Sequence, residues 1–347
     1  MDLSTLSGSI HGNPDYISFE YHFNVLSFCL LVSYSYVSLT VLIVLKMLKD
    51  FNRPGALNTS CHVQKSVFSA FIWMQSASLL FYVFDNLVFR IPPSGFMTQW
   101  LASTSPALFL KLSYYFLLIS NYLSTFFSVL FCLVRFLVVY FPDSHIRRIQ
   151  LLFLIYIPIS LTFPFLLTLF FLPATVYCRQ ITTPYGFGAV YFNYVGAWLN
   201  IYYDPFNVTV NFSATIVIIA VNIALLKKIR VLLKKRTNRS SRSLKSEISL
   251  TLMTLTMNIP FVANGAMTVT SPLPNSSESS LQITSFLDMT KSPYTLLPRQ
   301  VASDVGLVAV PWIFYLTHPM FRKKSSVSQT ISGGSSGAKP RGTVIKR

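Results

Sequence analysis

The chain has 347 residues, of which 52% are hydrophobic and only 11% are charged, whereas a soluble domain carries about 25% charged residues. Together with its long apolar runs, this composition excludes an ordinary soluble protein and predicts an all-α membrane protein. The net charge of +17 would suit a nucleic-acid-binding protein, but the cations gather beside the apolar runs, so we expect no nucleic-acid partner.

Seven apolar segments are long enough to cross a hydrocarbon core of about 30 Å as helices. They follow a polar, acidic segment (residues 1–24) and precede a basic tail (residues 318–347) whose Ser and Gly content predicts disorder. The predicted spans one to seven cover residues 25–45, 66–89, 112–134, 151–172, 210–226, 248–270 and 301–317. The pattern therefore predicts a seven-helix bundle.

The distribution of the 28 Lys and Arg residues predicts the orientation of this bundle. The loops after spans one, three and five and the tail hold 4, 2, 9 and 7 of them, Arg135 lies at the same side at the end of span three, and the opposite side of the membrane holds five. Because cytoplasmic loops are enriched in Lys and Arg, the N-terminus is expected outside and the C-terminus in the cytosol. An alternative in which residues 188–203 form a further span would invert everything that follows and is disfavoured by the same rule.

Span three carries a stripe of polar residues. At ~100° per residue, the stripe falls within an arc of roughly 80° with one asparagine at its edge. Its members are Ser113, Ser120, Asn121, Ser124, Ser128 and Arg135. A polar stripe on a membrane helix usually faces neighbouring helices or a cavity, although single serines also serve simply to let helices pack closely.

Asp85 in span two and Asp304 in span seven are the only acids within the predicted spans. Such residues are either functional groups that face the bundle interior or, since both lie near span ends, side chains wetted by the interface. With the stripe they form the predicted ligand-binding set. Its members are Asp85, Ser113, Ser120, Asn121, Ser124 and Asp304.

The predicted cytosolic side offers a second candidate surface. Pro260 would kink span six, and a kink there allows one half of the helix to swing. Basic residues near the ends of spans three to five are candidates for coupling to a heterotrimeric G protein, or for binding an anionic inner leaflet. They are Arg135, Arg147, Arg148, Lys227, Lys228 and Arg230.

No enzymatic constellation is present in the sequence. The five histidines are dispersed, and no HExxH, GxSxG, CxxC or P-loop pattern occurs, so we predict neither catalysis nor a metal or other cofactor. Three sequons on the predicted outer side are candidate glycosylation sites, at Asn207, Asn211 and Asn275.

Several segments resemble nematode serpentine seven-transmembrane chemoreceptors, in the superfamily that includes classes gamma, X and U. The leader from Ile10 to Glu20 is similar to that of class U. Leu133-Val134-Arg135-Phe136, followed by Tyr140-Phe141-Pro142, resembles the exit of span three in that superfamily, and His318-Pro319-Met320-Phe321-Arg322 resembles the exit of span seven. The resemblance extends over residues 10–324.

This resemblance implies a G-protein-coupled receptor of the plasma membrane, in sensory cilia, that detects a small molecule or odorant. The chain departs from rhodopsin-like receptors in two respects: no cysteine lies between Arg90 and Lys111 to pair with Cys178, and Val134 stands where an acid usually precedes the arginine. The alternative class of function is a small-solute transporter or ligand-gated channel.

Overall fold

The computed structural model describes residues 3–6, 8–52, 62–141, 144–181, 185–196, 203–235, 256 and 296–317. Within these ranges the protein is built from six long helices, two short ones and a β-hairpin. The long helices are α2 (Val25–Phe51), α3 (His62–Asp85), α5 (Ala107–Tyr140), α6 (His145–Thr168), α7 (Tyr203–Lys235) and α8 (Leu296–Thr317). The short elements are α1 (Pro14–Ile17), α4 (Thr98–Thr104), a π-helix (Asn86–Arg90), three 3-10 turns (Leu3–Thr5, Pro92–Ser94 and Leu169–Phe171) and strands β1 (Thr175–Gln180) and β2 (Val190–Val195).

Five of the described helical segments are long and apolar enough to cross a membrane, and they coincide with predicted spans one to five. Helix α8 coincides with predicted span seven and begins five residues earlier, at Leu296, so that Arg299 joins it. Predicted span six (residues 248–270) with Pro260, the sequon at Asn275 and the tail from residue 318 lie outside the described residues, apart from Thr256.

Helix α5 is the central element of the bundle. It runs for 34 residues and packs against α3, α6 and α7. Aromatic side chains fill its contact with α3 and α8, where the rings of Phe71 and Phe314 stack with centroids 4.4 Å apart and Phe131 meets Phe71 edge-on. Because α5 is surrounded on several sides by other helices, we expect its polar stripe to face those helices rather than lipid.

The aromatic segment between α6 and α7 forms an antiparallel hairpin. Strand β1 pairs with β2 from Thr175 opposite Val195 to Gln180 opposite Val190. Residues 190–195 are therefore extended, which rules out a helical span in that part of the 188–203 segment. We call the end of the bundle that carries this hairpin the hairpin end, and the end at Arg135 and Lys228 the opposite end.

Residues 8–24, which we call the N-terminal cap, lie across the hairpin end. The amide of Ile10 donates to the carbonyl of Cys178 at 3.1 Å, and that of Gly12 donates to the carbonyl of Ala102 at 3.0 Å. Asn24 closes the segment: its Oδ1 accepts from Ser27 N and caps α2, while its Nδ2 donates to the Ser94 carbonyl. The cap therefore joins three separate parts of the chain.

Candidate functional site

Four ionisable side chains form a buried cluster between α3 and α8 at the hairpin end. Asp85 and Asp304 are only 1% and 6% exposed. The Arg90 guanidinium donates from Nε to Asp85 Oδ2 at 2.7 Å, and from Nη1 and Nη2 to the two oxygens of Asp304 at 2.9 and 2.7 Å. Arg299 Nη2 completes the chain by donating to Asp85 Oδ1 at 2.8 Å. The interpretation that the two acids are wetted at span ends is therefore wrong.

A change of helix type after α3 positions Arg90. The five residues Asn86–Arg90 form a π-helix in which the Ile91 amide donates to the Asn86 carbonyl at 2.9 Å. In an α-helix, Asp85 and Arg90 would be five residues apart and would therefore point in directions about 140° from each other. The wider π turn reduces this offset and lets Arg90 reach Asp85 on its own helix while it also reaches α8.

Helix α2 supplies the hydroxyl groups that complete the cluster. Ser33 Oγ accepts from Arg90 Nη1 and donates to Asp304 Oδ2, at 3.1 Å each, and it also bonds the Tyr82 hydroxyl at 2.8 Å. The Tyr36 hydroxyl donates to the same Asp304 oxygen. The Arg90 guanidinium lies 4.8 Å from the centre of the Tyr82 ring, close enough for a cation–π contact. Three helices thus meet at one carboxylate.

The cluster has no net charge, because it contains two carboxylates and two guanidinium groups. Burial of ions in a low-dielectric interior is tolerated only when each has partners of opposite charge and further hydrogen bonds. Asp85 has both arginines as partners, and Arg90 and Asp304 also bond the hydroxyls of α2. The cluster consequently defines how α2, α3 and α8 sit together at the hairpin end, because any relative shift would leave a charge without its partner.

A small cavity, which we call the polar cavity, lies beside the cluster between α3, α5 and α8. Its volume is about 70 Å³, which is room for a few water molecules. Arg90 and Asp304 form one wall, and the other walls combine apolar side chains such as Met74, Phe81 and Leu307 with hydroxyl and amide groups. The polar lining from the three helices consists of Gln75, Ser78, Tyr82, Asn121, Ser124, Ser128 and Ser303.

Only some of the predicted ligand-binding residues line this cavity. Asn121, Ser124 and Asp304 line the cavity, and Ser124 also bonds Ser78 of α3 at 3.0 Å. Asp85 is joined to the cavity wall through Arg90. Ser113 and Ser120 are buried but lie outside this lining, and Ser120 Oγ donates to the Leu117 carbonyl of its own helix. The simple packing interpretation fits Ser120 best.

Arg90 and Arg299 were missed as site residues because the sequence places them in the short segments outside the predicted spans. One signal was available: Asp85 precedes Arg90 by five residues, and Arg299 precedes Asp304 by five. Because spans two and seven are predicted to run in opposite directions, this order places both arginines nearer one membrane surface and both acids about 7.5 Å deeper, within reach of long arginine side chains.

His11 holds the N-terminal cap against the hairpin end. Its buried imidazole lies 2.8 Å from the Leu101 carbonyl through Nδ1, and Nε2 accepts from the Cys178 amide at 3.0 Å. A ring that donates at one nitrogen and accepts at the other is neutral. Burial lowers the pKa of His11 from its ordinary value of 6.5, against a smaller opposite effect of the Leu101 carbonyl.

The predicted coupling residues occupy the opposite end. Arg135 is only 2% exposed, whereas Arg147, Arg148, Lys227 and Arg230 are exposed. Helices α5 and α7 meet nearby, where the Tyr140 hydroxyl donates to the Ala224 carbonyl at 2.9 Å and Lys228 lies 5.3 Å from the Tyr140 ring. Most of these cations are thus accessible, and Arg135 lies beneath them inside the bundle.

The structure describes the surroundings of one of the three candidate glycosylation sites. Asn211 lies in α7, and its Oδ1 accepts from Thr125 of α5 at 2.9 Å. Asn207 belongs to the same helix, which begins at Tyr203 rather than near residue 210. Glycosylation stays a prediction, and at Asn211 the sugar would attach through Nδ2 of a half-buried side chain.

Comparison with known proteins identifies the family. The profile of the family described as "Serpentine type 7TM GPCR chemoreceptor Sru" matches residues 10–324. The chain is also 32% identical over 260 residues to "Serpentine receptor class U-26" of Caenorhabditis elegans, an alignment that covers 74% of this chain and 88% of that relative. Both matches confirm the family predicted from the leader and the two helix exits. The chain therefore belongs to the Sru family of serpentine seven-transmembrane chemoreceptors.

Proposed function

We propose that this receptor detects a small molecule or odorant inside its helix bundle and signals through a heterotrimeric G protein. In this proposal it resides in the plasma membrane of sensory cilia with the hairpin end outside. Membership of a chemoreceptor family supports the general role. The proposal adds the place where the ligand binds and the way in which binding reaches the opposite end.

The polar cavity is the observation that carries this proposal. Groups from three helices converge on it, with Asp304 in its wall and Asn121 and Ser124 on the central helix. At about 70 Å³ it is smaller than the roughly 300–1,000 Å³ typical of small-molecule pockets. A ligand that enters must therefore separate α3, α5 and α8, and its affinity for the wider arrangement shifts the receptor toward that arrangement.

The opposite end would transmit this change. Arg135 lies on the same helix as Asn121 and Ser124, so a shift of α5 at the cavity displaces it directly. The exposed cations Arg147, Arg148, Lys227 and Arg230, with Lys228 beside them, form a basic surface around that helix end. Such a surface suits acidic protein surfaces and the anionic headgroups of an inner leaflet.

A ligand screen with a second-messenger readout, in cells that express the full chain, tests the proposal. For any ligand that activates the receptor, Ser124→Ala removes the cavity hydroxyl without adding bulk and should weaken the response about fivefold to tenfold, since one hydrogen bond is worth about 1 kcal/mol. Ser35→Ala is the matched control, because Ser35 is exposed and donates to the Leu31 carbonyl of its own helix.

Equal responses of the two variants at equal surface expression would contradict the cavity as the binding site. Ligand-evoked uptake or current in cells that lack G proteins would instead support a transporter or channel. Either result would overturn the proposal.

A further inference from the structure

A second cavity opens between α2 and α8, on the other side of the Arg90–Asp304 pair. Its volume is about 560 Å³, within the range of sites that hold a whole small molecule. The walls are mainly apolar and come from both helices, with Phe28 and Val32 on α2 and Leu297, Val301 and Val305 on α8. We call this cavity the α2–α8 groove.

The side chains at the rim of the groove point away from the bundle. Phe28 is 58% exposed and Val301 is 62% exposed, and α2 is one of the helices long and apolar enough to cross a membrane. In a spanning helix such side chains face hydrocarbon rather than water. The groove is therefore open toward the bilayer.

The direct route from the aqueous side is filled by packed groups. Ile10 of the cap, Leu101, Tyr114 of α5 and Phe192 of β2 are all buried in one apolar cluster. A ligand arriving from water above α5 would have to displace this layer and the cap bonds of His11. A ligand arriving through the groove meets no such layer among the described residues.

The inner end of the groove is polar and belongs to the ionic cluster. Ser33, Tyr36, Arg90 and Asp304 line it, and Arg90 and Asp304 also line the small polar cavity. The same ion pair thus separates a membrane-facing apolar groove from the interior cavity. An elongated molecule in the groove would have its tail among valines and its head against this pair.

The charge balance of the cluster selects the head group. Two carboxylates and two guanidinium groups already neutralise one another, so an ionised head would add a buried charge without a counter-charge, which is strongly unfavourable. A hydroxyl, ketone or ester can exchange hydrogen bonds with Tyr36 or Ser33 without changing the charge. The same reasoning disfavours phospholipids, whose ionic heads stay at the interface.

From this arrangement we infer that the α2–α8 groove binds a neutral, membrane-dissolved amphiphile with one hydrogen-bonding head and an alkyl body. This inference deepens the proposed function by naming the chemical class of the ligand, and it rests on that function only for the signalling that follows binding. The groove is the entry site, and the Arg90–Asp304 pair is the barrier between it and the interior cavity.

Photolabelling of the full chain in phospholipid nanodiscs tests this site. The probe is a medium-chain alcohol with a diazirine near the hydroxyl, and the labelled peptides are mapped by mass spectrometry. We expect labels on α2 and α8 that an unlabelled alcohol displaces and the carboxylate of equal chain length does not. Val301→Trp, which fills the groove from an exposed position, should reduce labelling about tenfold.

Leu316→Trp is the matched control, because Leu316 is also an exposed apolar residue of α8, at 58%, but lies outside the groove lining. Labelling that survives Val301→Trp, falls equally in the control, or is displaced equally by the carboxylate would overturn the inference. Groove labelling without any second-messenger response would contradict the proposed function but would support the groove as a binding site. A second-messenger response to a ligand without groove labelling would contradict the groove as a binding site and would still support the proposed function.

Discussion

The two ends of the helix bundle use charged side chains in opposite ways. At the hairpin end, Asp85, Arg90, Arg299 and Asp304 are buried and bond one another within 2.9 Å. At the opposite end, the cations near α6 and α7 are mostly exposed. A buried ion must keep its partner, so it holds helices in register, whereas an exposed ion gains little from any one contact and stays available to other molecules.

Arg135 shows that this difference follows burial rather than position. It lies at the opposite end, yet it is as buried as Arg90, at 2% against 3% exposure. The role of an arginine in this receptor therefore depends on the packing around it. Substitutions that remove a buried charge should change stability far more than substitutions that remove an exposed one.

The largest effect is expected from Asp304→Asn. The substitution preserves the shape of the side chain but leaves Arg90 buried without one of its two counter-charges, which should lower the free energy of unfolding by about 3–5 kcal/mol. Denaturation of the purified receptor in detergent measures the change. Glu20→Gln, which removes an exposed acid of the cap, is the control and should stay within about 0.5 kcal/mol.

A double variant sharpens this result. Arg90→Met combined with Asp304→Leu removes both members of the pair and leaves Asp85 bonded to Arg299. Because no charge is then left unbalanced, the double variant should be more stable than the Asp304→Asn single variant. If the double variant is less stable than Asp304→Asn, the pair must contribute more to the free energy of unfolding than the neutralisation of each charge by the other.

An intermediate effect is expected at the N-terminal cap when the pH falls. His11 accepts the Cys178 amide only as the neutral ring, and its pKa is lowered from 6.5 by burial. Docking of the cap should therefore be complete above pH 6.5 and weaken as the pH falls below it, since the released imidazole binds a proton more readily. Loss of this bond corresponds to about 1 kcal/mol.

Hydrogen exchange at the Cys178 amide, corrected for the intrinsic rate at each pH, follows this release. The amide of Leu123 inside α5 is the internal control and should not respond. His11→Gln removes the titrating group, so the pH dependence should disappear with it. Persistence of that dependence in the variant would assign it to another group.

The smallest effect on stability is expected at the opposite end. Arg147→Gln and Arg230→Gln remove exposed charges and should change the free energy of unfolding by less than about 0.5 kcal/mol. Together they should nevertheless slow receptor-stimulated nucleotide exchange on a purified heterotrimeric G protein severalfold, whereas Lys111→Gln at the hairpin end of α5 should not. Unchanged exchange in the double variant would argue against this surface as the coupling site.

Much of the bundle was predictable because membrane helices obey a local rule. Each span must satisfy its own backbone hydrogen bonds and present apolar side chains over its whole length, so hydropathy alone located α2, α3, α5, α6 and α7. The rule works less well where a helix carries charge. Helix α8 begins at Leu296, earlier than predicted, because Arg299 has a buried partner that hydropathy cannot anticipate.

The candidate site was predictable only in part. A polar stripe on α5 pointed to Asn121 and Ser124, and two membrane acids pointed to Asp85 and Asp304. The same stripe did not separate Ser124, which bonds across to Ser78, from Ser120, which bonds its own helix. Periodicity gives the face of a helix, but the neighbour at each level of that face depends on how the helices pack.

The apolar helices, the family and the isolated acids within the membrane could be predicted from the sequence, because they depend on composition and on motifs along a single segment. The fold was needed to show that Asp85 and Asp304 share Arg90, that a π-helix positions this arginine, and that one ion pair lines both the α2–α8 groove and the interior cavity. The reason is physical: charge compensation in a low-dielectric interior is a property of groups brought together from distant segments, and its partners are selected by packing.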